Sequence, residues 1–329
     1  MKKLISVFLC LAMLLGTAGI FTSCADGHTS DKLSIVTTIF PEYDWVRELM
    51  GEKAADADLT LLLDNGVDLH NYQPTAADII TISDCDMFIY VGGESDGWVE
   101  GVLANAANQD MIVINLLETL GDRVVAEEEI ENGTEHDHDE EEAHDHEHGE
   151  HGSDEHVWLS LENAKLICEV LADKLGVIDP ENEELYQSNL TAYLDRLTQL
   201  DTAYRAAVDA GTKNTLLFGD RFPFRYLTDD YGLSYYAAFS GCSSESEASF
   251  ETIAFLAAKI DELGLDTVLT IDGASHKIAQ TIISNTSEKN ETILSMNSMQ
   301  SVTLADAENG VTYLSIMEDN LDVLREALK

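Results

Sequence analysis

A chain of 329 residues, 45% of them apolar, has room for two domains of ordinary size with real cores. Its 18 Lys and Arg stand against 62 Asp and Glu, a net charge of −44. Phosphate backbones would be repelled by so acidic a body, and no basic stripe interrupts it, which excludes nucleic acid as a partner.

Lys2 and Lys3 precede an apolar run, Leu4 to Phe21, that ends in "FTSC". A short positive region, an apolar core and small residues ahead of a cut make an export signal. The run is about long enough for an uncleaved anchor. Cys24, followed by the polar "ADGHTSD", instead resembles a bacterial lipoprotein signal, in which that cysteine is lipidated and becomes the mature N-terminus. Residues 1–24 are thus expected to be a signal peptide, with Cys24 anchoring the chain to the outer face of a bacterial cell membrane. No later stretch reads as membrane-spanning. Export permits a disulfide among Cys85, Cys168 and Cys242, and their spacing singles out no pair.

Strand-like and helix-like segments then alternate. "LSIVTTI" from Leu33 is apolar and β-branched, and "PEYDWVRELMG" reads as a helix from Pro41 to Gly51. "LTLLL" from Leu59, "MFIYV" from Met87 and "MIVIN" from Met111 are the next strands. A helix is expected after Pro74, capped by Thr75 with Asp78, and another over Trp98–Ala107. Such a βαβ series predicts a parallel sheet with helices on its faces.

The segment Glu127–Glu155 holds 15 acids and few apolar residues, too few to offset its own ordering entropy, so a disordered loop is expected there. Seven of the ten histidines fall between Thr134 and His156. Imidazole with carboxylate suits borderline divalent ions such as zinc. His136, His138, His144, His146, His148 and His151 therefore read as an auxiliary capture loop that raises the local metal concentration, not as the tight site.

A helix over Leu161–Leu175, ending at Gly176, precedes the longest helix of the chain. There Asp179 can cap, Pro180 fits the first turn and Gly211 marks the stop. Leu190, Leu194, Leu197, Leu200, Tyr204 and Val208 step by three or four, giving one apolar face. Strands "TLLFG", "LSYYAAF", "TVLTI" and "TILSM" follow with helices between them, and a last helix runs over Tyr313–Leu328. The fold class is therefore α/β, with two parallel-sheet lobes joined by one long helix. The divisions are 25–178, 179–211 and 212–329, with the ligand in the interlobe cleft at the strands' carboxyl ends.

His70, in "DNGVDLHNYQP", stands at such a strand end, and His156 stands at a helix entrance in "DEHVWLSLENAK". No nucleophile elbow, phosphate loop, dinucleotide fingerprint or zinc-protease motif appears, so nothing places the activated water and general base that a zinc hydrolase needs. No enzyme is expected.

"IVTTIFPEYDWVREL", "GVDLHNYQPTAADI", "DEHVWLSLENAKLICEVLADKL" and "FSGCSSESEAS" occur in an order that resembles the solute-binding lipoproteins of zinc and manganese ABC importers. The resemblance covers essentially all of the mature chain. It implies His70 and His156 as metal ligands, with Glu245 and Glu247 at acidic positions of a cleft loop. It also implies an ABC permease and its ATPase as partners, a monomer, Zn2+ as cargo and Mn2+ as the runner-up. A surface metal buffer or adhesin is the alternative. Two inherited ligand positions fail: Arg221 stands at the third, and a gapless count from Asn320 puts Val311 at the fourth. Arginine is always protonated and cannot ligate a cation. Asp220, Glu245, Glu247, Asp272, Cys242 and His276 are the nearby groups that remain to complete the site.

Overall fold

The structure, a computed structural model, describes residues 32–127, 152–243, 247–273 and 275–329. The first lobe opens with β1 (Ser34–Thr37), buried from Ile35 onward. In α1 (Phe40–Met50), Pro41 occupies the first turn, where its missing N–H is not needed, and Gly51 closes the helix at φ 56°. There follow β2 (Asp58–Leu61), α2 (Ala76–Asp84), β3 (Met87–Tyr90), α3 (Val99–Leu103), β4 (Ile112–Asn115) and α4 (Leu116–Leu120). All four strands pair in parallel, in the order β2-β1-β3-β4.

Local chemistry accounts for the element ends. Thr75 Oγ1 accepts from Asp78 N at 3.2 Å while Asp78 Oδ2 accepts from Thr75 N at 2.7 Å, a reciprocal cap on α2. Thr75→Ala is expected to cost about 1 kcal/mol, read as a lower urea midpoint with zinc affinity unchanged. The helix expected over Trp98–Ala107 contracts to the five residues of α3. Just beyond its end the Asn105 side chain donates back to Gly101 O at 3.0 Å, the kind of local bond that competes with helix continuation.

The second half comprises α5 (Leu161–Ile178), α6 (Glu183–Ala210), β5 (Thr215–Phe222), α7 (Arg225–Tyr231), β6 (Ser234–Ser240) and α8 (Phe250–Leu263). It ends with β7 (Thr267–Ile271), α9 (Lys277–Ser284), β8 (Thr292–Met296), α10 (Leu304–Glu308) and α11 (Tyr313–Ala327). Its sheet repeats the first one's order, β6-β5-β7-β8, again all parallel. In each sheet the strand order reverses direction between neighbours, β1/β3 and β5/β7, and loops diverging there open a crevice at the carboxyl ends.

With 28 residues, α6 is about 42 Å long at about 1.5 Å per residue. Leu190, Leu197, Leu200 and Tyr204 are buried, and Leu194 and Val208 pack against the same core. That core draws on both sheets, including Ile35 and Phe88 from the first and Phe218 and Leu269 from the second. A smaller cluster around Leu217, Leu256 and Val268 belongs to the second lobe. Of the two glycines expected as helix stops, Gly211 does follow the last residue of α6, whereas α5 runs on past Gly176 to Ile178. Gly176 is helical, and a Cβ there would meet Glu183 Cγ at 2.9 Å, so its smallness lets α6 start close against α5. Gly211, at φ −66°, makes room for Leu328. Among the described residues no helix is long and apolar enough to cross a membrane.

Candidate metal centre

His70 leaves β2 on a loop that ends in a 3-10 turn, Leu69–Asn71, whose cap is Asp68: Oδ1 accepts from His70 N at 3.0 Å. His156 immediately precedes a second 3-10 turn, Val157–Leu159, that leads into α5. Asp154 Oδ1 accepts from both the backbone N and Nδ1 of His156, each at 2.9 Å. The segment is fixed from several sides. Tyr226 OH on α7 donates to Asp154 O at 2.8 Å, Trp158 Nε1 donates to Ser298 O at 2.9 Å, and Tyr313 OH donates to Trp158 O at 2.7 Å.

These supports bring His70 Nε2 and His156 Nε2 to 3.2 Å from each other. An ionised carboxylate only accepts, so His156 Nδ1 carries the proton toward Asp154 and Nε2 presents its lone pair. His70 Nδ1 lies 2.8 Å from Ser95 Oγ and 3.5 Å from Glu155 Oε2, which favours the same tautomer. At 3.5 Å the Glu155 contact is electrostatic rather than a formed hydrogen bond, and Oε2 has no other partner. Two lone pairs facing at 3.2 Å repel unless a cation joins them.

Burial works to raise the Asp154 carboxyl, but the His156 imidazole and the hydrogen bonds from His156 hold it below the usual range. Glu155 behaves alike: burial raises it, and His70 with the Ser95 donors overcomes that. Both carboxylates therefore stay ionised beside the imidazoles. With Glu94, Glu127, Ser95, His70 and Cys242, Glu155 lines a cavity of about 270 Å³. The cavity is suited to a cation, and its orienting carboxylates are already in place.

Glu155 is seated by Gly93, at φ +79°, where a Cβ would overlap the carboxylate. Gly93→Ala is expected to destabilise the chain by about 1–3 kcal/mol and to lower zinc affinity, checked by melting and zinc titration of one sample.

Among the described residues, ligand atoms of His70, His156 and Cys242 lie within 4.8 Å of one another. Glu247 is exposed and does not join them. Glu245, Cys24 and the histidines His136, His138, His144, His146, His148 and His151 lie outside the described residues. Arg221 pairs with Asp68 across the cleft at 2.7 Å, and Val311 packs against the core. Asp220 accepts from Arg221 N and Ile271 N, Asp272 accepts from Ser298 N and Ser301 Oγ, and His276 Nδ1 meets Thr270 Oγ1 at 3.0 Å. These groups line a separate cavity of about 420 Å³.

Asp154 and Glu155 are not singled out by the sequence, where they read as the end of the acidic loop. That loop is ordered at both described ends. Glu127 N donates to Gly152 O at 2.8 Å, Asp154 N donates to Val125 O at 2.9 Å, and Ala126 bridges Ser153. The available signal was "DEH" itself, two acids abutting a candidate ligand.

Residues 35–327 match the family described as zinc-uptake complex component A, periplasmic. The chain belongs to this family. It is 30% identical over 305 residues to the zinc-binding lipoprotein AdcA of Streptococcus pneumoniae, covering 92% of this chain but only 58% of that protein. It is 29% identical to the high-affinity zinc uptake system protein ZnuA of Bacillus subtilis, over 99% of this chain and 98% of the relative. Among solved structures, the Zn(II)-bound ZnuA-like domain of the pneumococcal AdcA superposes with a TM-score of 0.69 at 28% identity, covering 90% and 99% of the two chains. The metal-dependent lipoprotein YcdH of Bacillus subtilis gives 0.71 at 26%, covering 91% and 100%. The family thus fits the two-lobe α/β architecture read from the strand and helix pattern.

Proposed function

We propose that the chain is the extracytoplasmic receptor of a metal ABC importer. It takes Zn2+ between its lobes through His70 and His156 and delivers the ion to a membrane permease driven by its ATPase. The receptor works as a monomer tethered through a lipid on Cys24, and performs no chemistry. The observation that carries this reading is the pair of Nε2 atoms at 3.2 Å, each ring with a carboxylate beside its Nδ1. Tetrahedral zinc has bonds of about 2.0–2.1 Å to nitrogen, which sets two such atoms about 3.3 Å apart. The family match and the zinc-named relatives of known sequence support the cargo.

The acidic loop, whose described ends Glu127 and Gly152 line the cavity, serves as a tether of weak ligands that feeds the cleft. Calorimetric titration with zinc and manganese of the chain from Ala25, with and without Glu135–His151, tests the assignment. One tight zinc site that survives the deletion is expected. Loss of all tight binding with the loop would instead make the protein a surface metal buffer.

A further inference from the structure

We propose that Cys242 is the third protein ligand, so that the cargo is held by two imidazole nitrogens and one thiolate in place of the ligand set that Arg221 and Val311 interrupt. This inference rests on the receptor reading above and names the ligand chemistry of that same site.

The first ground is where the missing ligands went. The Arg221 guanidinium is engaged by Asp68 at 2.7 Å, and Asp68 in turn accepts from His70 N. The arginine thus steadies the loop that carries a ligand, and Val311 belongs to the packing. The second ground is the path of the chain after β6. A Cβ at Gly241 would lie 2.9 Å from His156 Cε1 and 2.9 Å from Phe222 O. The backbone at Gly241 therefore rests directly against the His156 ring, which places the next side chain, Cys242, beside both imidazoles. Its Sγ, with one nitrogen from each ring, forms the only three-residue cluster of metal-ligating atoms found among the described residues.

The third ground is the setting of the thiol. Cys242 is free, as are Cys85 and Cys168, and those two are buried elsewhere. It faces the cavity shared with His70, Glu127 and Glu155. The carboxylates of Glu94, Glu127 and Glu155 line the same cavity. Those same carboxylates favour a divalent cation in that space. On binding, the S–H bond breaks as the S–Zn bond forms. The proton leaves for the facing Glu127 and then for solvent, and no oxidant or reductant is needed. Tetrahedral zinc asks for nitrogen–sulfur separations of about 3.6 Å. From within 4.8 Å, the sulfur closes that gap by a small movement of its loop.

A thiolate also sets the preference. Soft sulfur favours zinc over manganese, whose usual sites are built from oxygen. Manganese should bind this receptor poorly.

The test is titration of the full chain with Co2+, followed by competition with Zn2+ and Mn2+, for the wild type and for Cys242→Ser. Wild type should develop a near-ultraviolet sulfur-to-cobalt charge-transfer band that saturates at one ion per chain. Cys242→Ser should lack the band, keep the wild-type circular dichroism, bind zinc at least about tenfold more weakly, or about 1.4 kcal/mol, and lose part of its discrimination against manganese. Bound zinc should also protect Cys242 from iodoacetamide. Cobalt bound one to one without the band, or a band and zinc affinity unchanged in folded Cys242→Ser, overturns the thiolate ligand and leaves the receptor standing. Failure of wild type to bind zinc tightly overturns the receptor reading itself.

Discussion

Replacement of His156 by alanine is expected to abolish tight zinc binding, lowering affinity by at least about a thousandfold, or about 4 kcal/mol. His156 is fully buried, and its ring is oriented by Asp154 at 2.9 Å and faces His70 at 3.2 Å. Among the described residues no other histidine joins this pair. Asp154→Asn should cost less, about 10–100-fold, because the ligand remains and only its orientation and basicity suffer. The ranking is the informative part. Competition titration against a chromogenic chelator measures both variants on one scale. Melting gives a second reading, since zinc at a thousand times its Kd stabilises a folded receptor by about 4 kcal/mol. His156→Ala should lose that increment while remaining folded, because Trp158 and Tyr313 still hold the segment through Ser298 O and Trp158 O. Equal losses in the two variants would mean that Asp154 itself ligates the ion.

The elements were legible where local chemistry is strong. The Thr75–Asp78 cap, Pro41 at the start of α1 and the apolar stripe of α6 all follow from spacing alone, and each appears as read. Glycine was harder. A sequence does not distinguish a glycine that ends a helix, such as Gly51, from one that admits a neighbour, such as Gly176. The difference lies in Glu183, seven residues on, whose position depends on the fold. The site was half legible. His70 and His156 could be named from their motifs, but their supports come from Ser95, Tyr226 and Gly241, distant in sequence and joined only by the cleft. Cys242 was visible as a candidate without a partner. Its relation to the imidazoles exists only once β6 delivers Gly241 against His156.

The metal-free protein should lose stability as pH rises from about 5 to about 8, and Glu42 is the main reason. Its side chain is fully buried at the first turn of α1. Oε2 accepts from Thr38 N, Thr38 Oγ1 and Ile39 N at 2.8–3.2 Å, while Oε1 has no partner. Burial, with Asp96 nearby, pushes the carboxyl up to about 8 from its ordinary 4.5. Asp96 is itself raised to about 7, by burial and by the Glu155 charge. Between the ordinary and the raised values the folded state holds a proton that the unfolded chain has released. Stability from this group is therefore complete below the ordinary value and is lost as pH climbs through the raised one. For Glu42 the loss is on the order of a few kcal/mol. Glu42→Gln keeps an acceptor for the three donors and cannot ionise. Melts of both proteins in chelator, from pH 5 to pH 9, should show a falling curve for wild type and a flatter one for the variant, with the variant the more stable at the alkaline end. Parallel curves would place the buried proton elsewhere, with Asp96 the next group to replace.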